Sequence, residues 1–308
     1  MPDPTIQPRA LPNDLSPADL RIRPGAGGDV GVGPDQAGWR YLAFSAREVP
    51  AGGKRIRAEE GRHEMCLVVQ AGHDVTVTDS GGTSWSLPGR ESVFDDLPSA
   101  LWLPWSTYLD VRVGRMPANG PATIAWATAP RSDRDGVATE PVLILPKDVV
   151  VETRGAGNAT RQISHIIAPS FPADRLELVE VYTPSGNWSS WPPHKHDVDD
   201  MPAEAVLEEI YHYRFRRPAA WAIQRVYRED RSRDAIFEVR HGDVVIVTDG
   251  YHPFSATHGD DAYYLNALAG DRRTMACSFD PDLDWVRATW DGMAIDPRVP
   301  LVPARSAG

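Results

Sequence analysis

Two histidines one residue apart, His194 and His196, end the stretch NWSSWPPHKH, and two carboxylates, Glu208 and Glu209, head the run EEIYHYRF a dozen positions later. In an extended chain alternate side chains share a face, so the two imidazoles project together while Lys195 turns away. Converging imidazoles suit a first-row divalent metal, and a carboxylate entering on a neighbouring strand completes a nitrogen and oxygen ligand set. Glu209 is placed to do this, with Tyr211 and Tyr213 on its face and Glu208 on the opposite one. The later stretch HGDVVIVTDGYHPF supplies a strand, a glycine corner at Gly250 and a third imidazole, His252. Each feature alone has an ordinary reading: a solvated HxH, a surface carboxylate pair, core tyrosines, a turn histidine. Together they point to one divalent cation, and zinc, manganese, iron, cobalt and nickel all suit such ligands. His63, His73, His165, His212, His241 and His258 lack this company and are read as structural.

The elements that must position these groups are strands. The 28 prolines and 25 glycines punctuate short runs rich in Val, Ile, Tyr, Trp and Thr. Examples are MCLVVQ (65–70), DVTVT (74–78), ALWLP (100–104), YLDVRV (108–113), ATIAWATA (122–129), RQISHIIA (161–168), RLELVEVYT (175–183), WAIQRVY (221–227), DVVIVT (243–248) and YYLNALAG (263–270). Helical stripes are almost absent; only MPAEAVLEEI (201–210) starts like a helical turn. A polar, weakly patterned segment at 130–162 separates two blocks of similar order. We place the junction near 140, giving units 1–140 and 141–308, and the weak duplication suggests two copies of one barrel or sandwich. The first block has no HxH, only His63 beside Glu64, so it is expected to be metal-free and structural.

Charge and composition narrow the partners. With 43 acidic and 32 basic residues the formal charge is −11, which argues against nucleic acid or an anionic membrane as the main partner. No apolar segment approaches a membrane span and the N-terminus has no signal-like pattern, so a soluble, cytoplasmic protein is expected. Cys66 and Cys277 lack CxxC spacing and read as free thiols. Both ends, including ARSAG at 304–308, read as tails.

The order HxH, glutamate before a β-run, glycine corner, histidine is that of the two cupin motifs. The chain resembles the 5-deoxy-glucuronate isomerase family of myo-inositol catabolism, itself similar to the 5-keto-4-deoxyuronate isomerases. The resemblance covers almost the whole chain. It is carried by GWRYLAFSAREVPAG (38–52), GRESVFDDLPSALWLP (89–104), RGAGNATRQISHI (154–166), VYTPSGNWSSWPPHKHD (181–197), EEIYHYRF (208–215), QRVY (224–227), DGYHPF (249–254) and YYLNALAG (263–270). It implies an all-β bicupin, two double-stranded β-helix (jelly-roll) barrels, the first degenerate and the second metal-binding. It also implies four metal ligands, His194, His196, Glu209 and His252. Two departures from the general cupin pattern stand out. The interval DVDDMPAEAVLE lengthens the path from HxH to Glu209, and motif two has Thr248 for proline and one residue between Gly250 and His252.

The implied reaction is an aldose–ketose isomerisation of 5-deoxy-D-glucuronate to 5-dehydro-2-deoxy-D-gluconate, a small sugar acid, through a cis-enediolate. Tyr211, Tyr213 and Tyr227 are candidates to donate to the developing oxyanion, with Tyr211 and Tyr227 preferred. Arg161 and Arg225 are candidates to pair bidentately with the uronate carboxylate. The sequence does not single out the base that moves the proton, and a homo-oligomer is left open. A bicupin metal-dependent dioxygenase is the alternative enzyme, and a non-catalytic storage-like or sensing bicupin is disfavoured by the complete ligand set.

Overall fold

The computed structural model describes residues 15–57, 62–105, 108–132 and 134–303; the two expected tails, 1–14 and 304–308, lie outside the described residues. Every apolar run named above becomes strand. MPAEAVLEEI makes a turn and then extended chain, because the helix-compatible start is too short to nucleate before β-type residues take over.

The C-terminal half faces a seven-stranded sheet against a four-stranded one. The seven-stranded sheet runs Arg21–Ile22, Val244–Val247, Glu208–Phe215, Ala262–Ala269, Leu176–Thr183, Arg161–Ile167, Val150–Arg154 in spatial order. The smaller sheet runs Trp188–Ser189, Phe254–Ala256, Trp221–Tyr227, Asp234–Arg240. Between them lies a core that includes Val179, Tyr211, Val226, Phe254 and Tyr264. The other face of the seven-stranded sheet packs on the N-terminal half, where Tyr182, Ile210 and Leu265 meet Phe44, Trp102 and Ala127. With both faces covered, Leu176–Thr183 and Ala262–Ala269 are buried at every position. This is why Ala262–Ala269 reads as a nearly continuous rather than an alternating apolar run.

In the N-terminal half one long strand, His63–Asp79, serves two layers. Its first part pairs with Ala100–Leu103 and Ala122–Pro130, its second with Ser84–Arg90 and Tyr108–Arg115. A register shift between Val69 and Ala71 turns it from one layer to the other, as bulged corners do. What reads as two strands in the sequence is therefore one bent strand.

The boundary near 140 is crossed in both directions. Arg21–Ile22 pairs with Val244 and Val245 at the edge of the C-terminal sheet, and Val142–Ile144 pairs with Ala100–Trp102 in the N-terminal one. Each half thus lends a short strand to cover an exposed edge of the other.

Two glutamates fasten the halves reciprocally. Glu208 accepts the backbone N–H groups of Arg40, Tyr41 and Leu42 at 2.6, 2.9 and 2.8 Å. Glu64 accepts those of Asp174, Arg175 and Leu176 at 2.9, 2.6 and 2.8 Å, and the Trp102 indole at 3.0 Å. Glu208, expected on an outer face, does point away from Glu209, but into the other half rather than into water. The matching roles align Glu64 with Glu208 and place Met65, a buried core residue, where the second half has Glu209. Glu208→Ala is expected to cost about 2 kcal/mol or more by stranding three amides, read as a lowered denaturation midpoint with unchanged metal content. No helix among the described residues is long and apolar enough to cross a membrane.

Candidate active site

Strand register lays out the inner face of the seven-stranded sheet. Glu209 stands opposite Leu268, Tyr211 opposite Asn266, and Tyr213 opposite Tyr264. His194 and His196 approach this face from a short strand, His194–Lys195, paired with Ser278–Phe279. Lys195, between the histidines, and Asp197, just after them, anchor that segment. Lys195 binds Asp197 at 2.7 Å and Glu204 at 2.9 Å, and Glu204 also accepts the Asp197 and Val198 amides. Asp197 in turn accepts the Gly250 amide at 2.7 Å, tying the HxH segment to the corner that carries His252. Gly250 has φ +80, and an added Cβ would lie 2.4 Å from the Tyr227 carbonyl, so this corner requires glycine.

His196, Glu209 and His252 offer ligand atoms within 4.8 Å of one another, all buried. The Nδ1 of His196 donates to the Leu207 carbonyl and that of His252 to the Gly250 carbonyl, both at 3.0 Å. These bonds fix the tautomers and aim both Nε2 atoms at Glu209 Oε2, at 2.8 and 3.2 Å. The other carboxylate oxygen, Oε1, accepts the Asn266 amide at 2.6 Å. The Nε2 of His252 is buried with no hydrogen-bond partner. Burial holds the His252 imidazole below its ordinary pKa against the pull of Glu209. Burial would raise the Glu209 carboxyl, but His252 and His196 outweigh it and hold it at about 2. A neutral, orphaned lone pair facing a carboxylate is unfavourable unless a cation lies between them, so the residues fit a divalent metal. His194 falls outside this compact trio. Its ring packs edge-on against His252 with centroids 4.6 Å apart, and burial with its two histidine neighbours keeps it neutral. The expected set of four is thus three converging groups with His194 beside them.

His196 and Glu209 of the trio, with His194 beside them, border a cavity of about 550 Å³. Tyr211 lines it, its hydroxyl 3.0 Å from that of Ser190, a residue in the left-handed region at φ +48. Burial pushes the Tyr211 phenol well above its usual range, so it keeps its proton. Arg161 also lines the cavity. Its guanidinium donates to the Ala159 and Trp191 carbonyls at 3.1 and 3.3 Å, and burial lowers it to about 10, still cationic at neutral pH. No carboxylate among the described residues pairs with it, whereas its neighbour Arg154 is held bidentately by Glu152.

Two expected site residues lie elsewhere. Arg225 forms a bidentate pair with Asp234 at 2.8 and 2.6 Å on the outer side of its sheet. Tyr227 donates to Asp280 at 2.5 Å and carries the Arg225 and Arg231 guanidinium groups on its ring. The cause is strand parity: Ala222, Gln224 and Val226 take the inward positions of Trp221–Tyr227, leaving Arg225 and Tyr227 on the other face. Tyr213 faces inward but gives its hydroxyl to Gln224 at 2.7 Å. Conversely, Asn266 and Tyr264 join the site without a motif of their own, and the one signal for them is a polar residue in the apolar run YYLNALAG, two positions from each of Tyr264 and Leu268. Arg287 and Trp290, which line the cavity from Asp284–Trp290, carried no signal, because their position depends on a long return of the chain.

Comparison with known proteins gives the family. A sequence model described as the KduI/IolB family matches residues 20–286. The 5-deoxy-glucuronate isomerase of Geobacillus kaustophilus is 43% identical over 263 residues, 84% of this chain and 91% of that protein. The enzyme of the same name from Bacillus subtilis strain 168 is 37% identical over 248 residues, 80% of this chain and 88% of that protein. The crystal structure of an IolB-like protein from Salmonella typhimurium superposes with a TM-score of 0.79 at 34% identity, covering 87% of this chain and 98% of that one. Lactobacillus farciminis oxalate decarboxylase, 11% identical with a TM-score of 0.55 over 84% and 88% of the two chains, shares the fold alone. Given the match over residues 20–286 and relatives this similar along most of its length, the chain belongs to the KduI/IolB family.

Proposed function

We propose that this isomerase converts 5-deoxy-D-glucuronate to 5-dehydro-2-deoxy-D-gluconate in a metal-dependent aldose–ketose isomerisation, as a step of myo-inositol catabolism. The observation that carries the reading is a cavity lined both by His196 and Glu209 of a three-residue ligand set and by Arg161, a buried guanidinium with no carboxylate partner among the described residues. The substrate has matching ends: a carbonyl beside a hydroxyl, and a carboxylate. His196, Glu209 and His252 would hold the metal, with His194 adjacent. When bound, a divalent ion would act as a Lewis acid on the carbonyl and hydroxyl oxygens, worth several kcal/mol.

The rest is done by the chain's own groups. Arg161 neutralises and orients the carboxylate, which fixes the opposite end of a short substrate against the histidines. Tyr211, keeping its proton, donates a hydrogen bond to the oxygen on which charge develops. Asn266 holds Glu209 in one orientation, and the apolar wall of Ile163, Val179, Val181 and Leu268 limits water around the enediolate. We further propose that the two halves are two cupin barrels and that the first is metal-free, which the Met65 position supports.

The deciding assay follows 5-deoxy-glucuronate turnover by the purified protein, with and without chelator, together with solvent deuterium entering the product. Metal-dependent turnover with deuterium incorporation is expected; no turnover by metal-loaded protein would refute the reading. Arg161→Ala should raise KM about 100-fold, the loss of a charge-assisted pair, with a smaller change in kcat. Arg225→Ala should leave both near wild type.

A further inference from the structure

Glu177 is a buried carboxylate that the site described above does not use. On Leu176–Thr183 it shares the inner face with Val179 and Val181, both cavity walls. Register sets it opposite Leu268, which stands opposite Glu209, so the two carboxylates flank one leucine in a row across the sheet. At the usual strand spacing their Cα atoms are about 10 Å apart. Glu177 is 0% exposed, and neither of its oxygens has a hydrogen-bond partner. The chain does not treat its other buried glutamates this way: Glu64, Glu180, Glu204, Glu208 and Glu209 all accept hydrogen bonds.

The charged groups that bear on Glu177 are Arg273, from the loop after Ala262–Ala269, and His196, while the Thr274 amide leans toward it without closing a hydrogen bond. The Arg273 guanidinium is committed to the carbonyls of Ala168, Phe171, Ala173 and Leu176. Burial prevails over these neighbours and pushes the Glu177 carboxyl up to about 7. An orphaned buried carboxyl is costly, and such groups concentrate where chemistry uses them.

The cavity needs such a group. An aldose–ketose isomerisation requires a base that can also act as an acid near neutral pH. Among the described lining residues other than the ligand trio and the His194 packed beside it, the phenols of Tyr211 and Tyr264 are raised by burial and keep their protons, and the Cys277 thiol is pushed up to about 11. Arg161 and Asn266 are not bases.

We propose that Glu177 carries the proton between the two reacting carbons, its carboxyl turning into the cavity between Val179 and Leu268. This rests on the isomerase reading. The carboxylate takes the proton from the hydroxyl-bearing carbon; that C–H pair becomes the new C=C bond, and the carbonyl π pair moves onto its oxygen. The resulting carboxylic acid returns the proton to the former carbonyl carbon. The hydroxyl proton passes to the neighbouring oxygen as the ketone forms, so no oxidant, reductant or co-reactant is consumed.

The test is Glu177→Gln, an isosteric change at a site that already lacks hydrogen bonds. Its kcat/KM should fall by about 10² to 10⁴, the usual contribution of a general base, with metal content retained. The wild-type rise of kcat/KM with pH through about 7 should vanish from the residual activity. Infrared titration should show a protonated carboxyl lost through that range in wild type and missing from the variant. Glu177→Gln turning over within threefold of wild type with the same pH profile would overturn the assignment. Should that variant not fold, Glu177→Asp decides: a drop of tenfold or more with the acid limb kept supports the role, and wild-type turnover refutes it. A metal-loaded wild type that fails to turn over the sugar acid removes the isomerase reading itself, and this assignment with it.

Discussion

Glu209→Gln should fold, lose its bound metal, and turn over about 1000-fold or more slowly than wild type. The size follows from what the ligand set contributes: several kcal/mol of Lewis-acid stabilisation, where 1000-fold corresponds to about 4 kcal/mol. The fold should survive because the amide can keep the contacts that the carboxylate makes. Its carbonyl can still accept from Asn266, and its NH2 can donate to the two Nε2 atoms that now face Glu209 Oε2 at 2.8 and 3.2 Å. Added metal should therefore raise the thermal midpoint of the wild type, as any ligand that prefers the native state does, and leave that of Glu209→Gln unmoved. Metal analysis of the purified proteins and melting curves with and without the ion measure both effects. A Glu209→Gln protein that keeps one metal per chain and near-normal turnover would show that Glu209 is not a ligand. Glu208→Gln is the internal control. That residue binds backbone amides of the other half on the opposite face of the same strand, so its loss should lower stability and spare the metal.

Strand parity explains both what the sequence revealed and what it hid. His196, Glu209, Tyr211 and His252 were readable because each sits in or beside a short run whose alternation or glycine corner fixes its face. Arg225 and Tyr227 are candidates by side-chain chemistry alone, without that rule, and the buried Ala222, Gln224 and Val226 mark the inward set of WAIQRVY instead. An amphipathic strand announces its period, but phase is set by the sheet it joins. The fold class was visible for a related reason, since punctuated runs of strand length have few other uses. The exchange of edge strands at 21–22 and 142–144 was not, because two or three residues carry no pattern. Glu64 and Glu208 were equally hidden: a carboxylate that clamps backbone amides leaves no trace in the side-chain types opposite it. Glu177 sits in LELVEVYT among apolar neighbours, and nothing in that run distinguishes it from Glu180, which turned out to have the opposite environment.

That environment makes Glu180→Ala the most destabilising single change expected outside the cavity. Glu180 points to the interface between the halves, where it pairs bidentately with Arg90, one contact at 3.0 Å, with both side chains fully buried. It also accepts the hydroxyls of Tyr182 and Tyr263, each at 2.8 Å. Arg90 spends its remaining donors on the carbonyls of Val69 and Asp96. Removing the carboxylate strands a guanidinium that water cannot reach and two phenols with no acceptor, a loss of about 3 to 5 kcal/mol. For a chain of this size that corresponds to a fall of about 10 °C in Tm. Replacing both partners by apolar residues, Arg90→Met with Glu180→Leu, should recover most of the loss, because the cost lies in the uncompensated charge rather than in the missing pair. Glu180 lies on the face of Leu176–Thr183 opposite the cavity, so the weakened variant should keep its metal and its KM below the melting range. If Glu180→Ala instead lost the metal while remaining as stable as wild type, the interface would be acting on the site, and the separation of the two faces drawn here would be wrong.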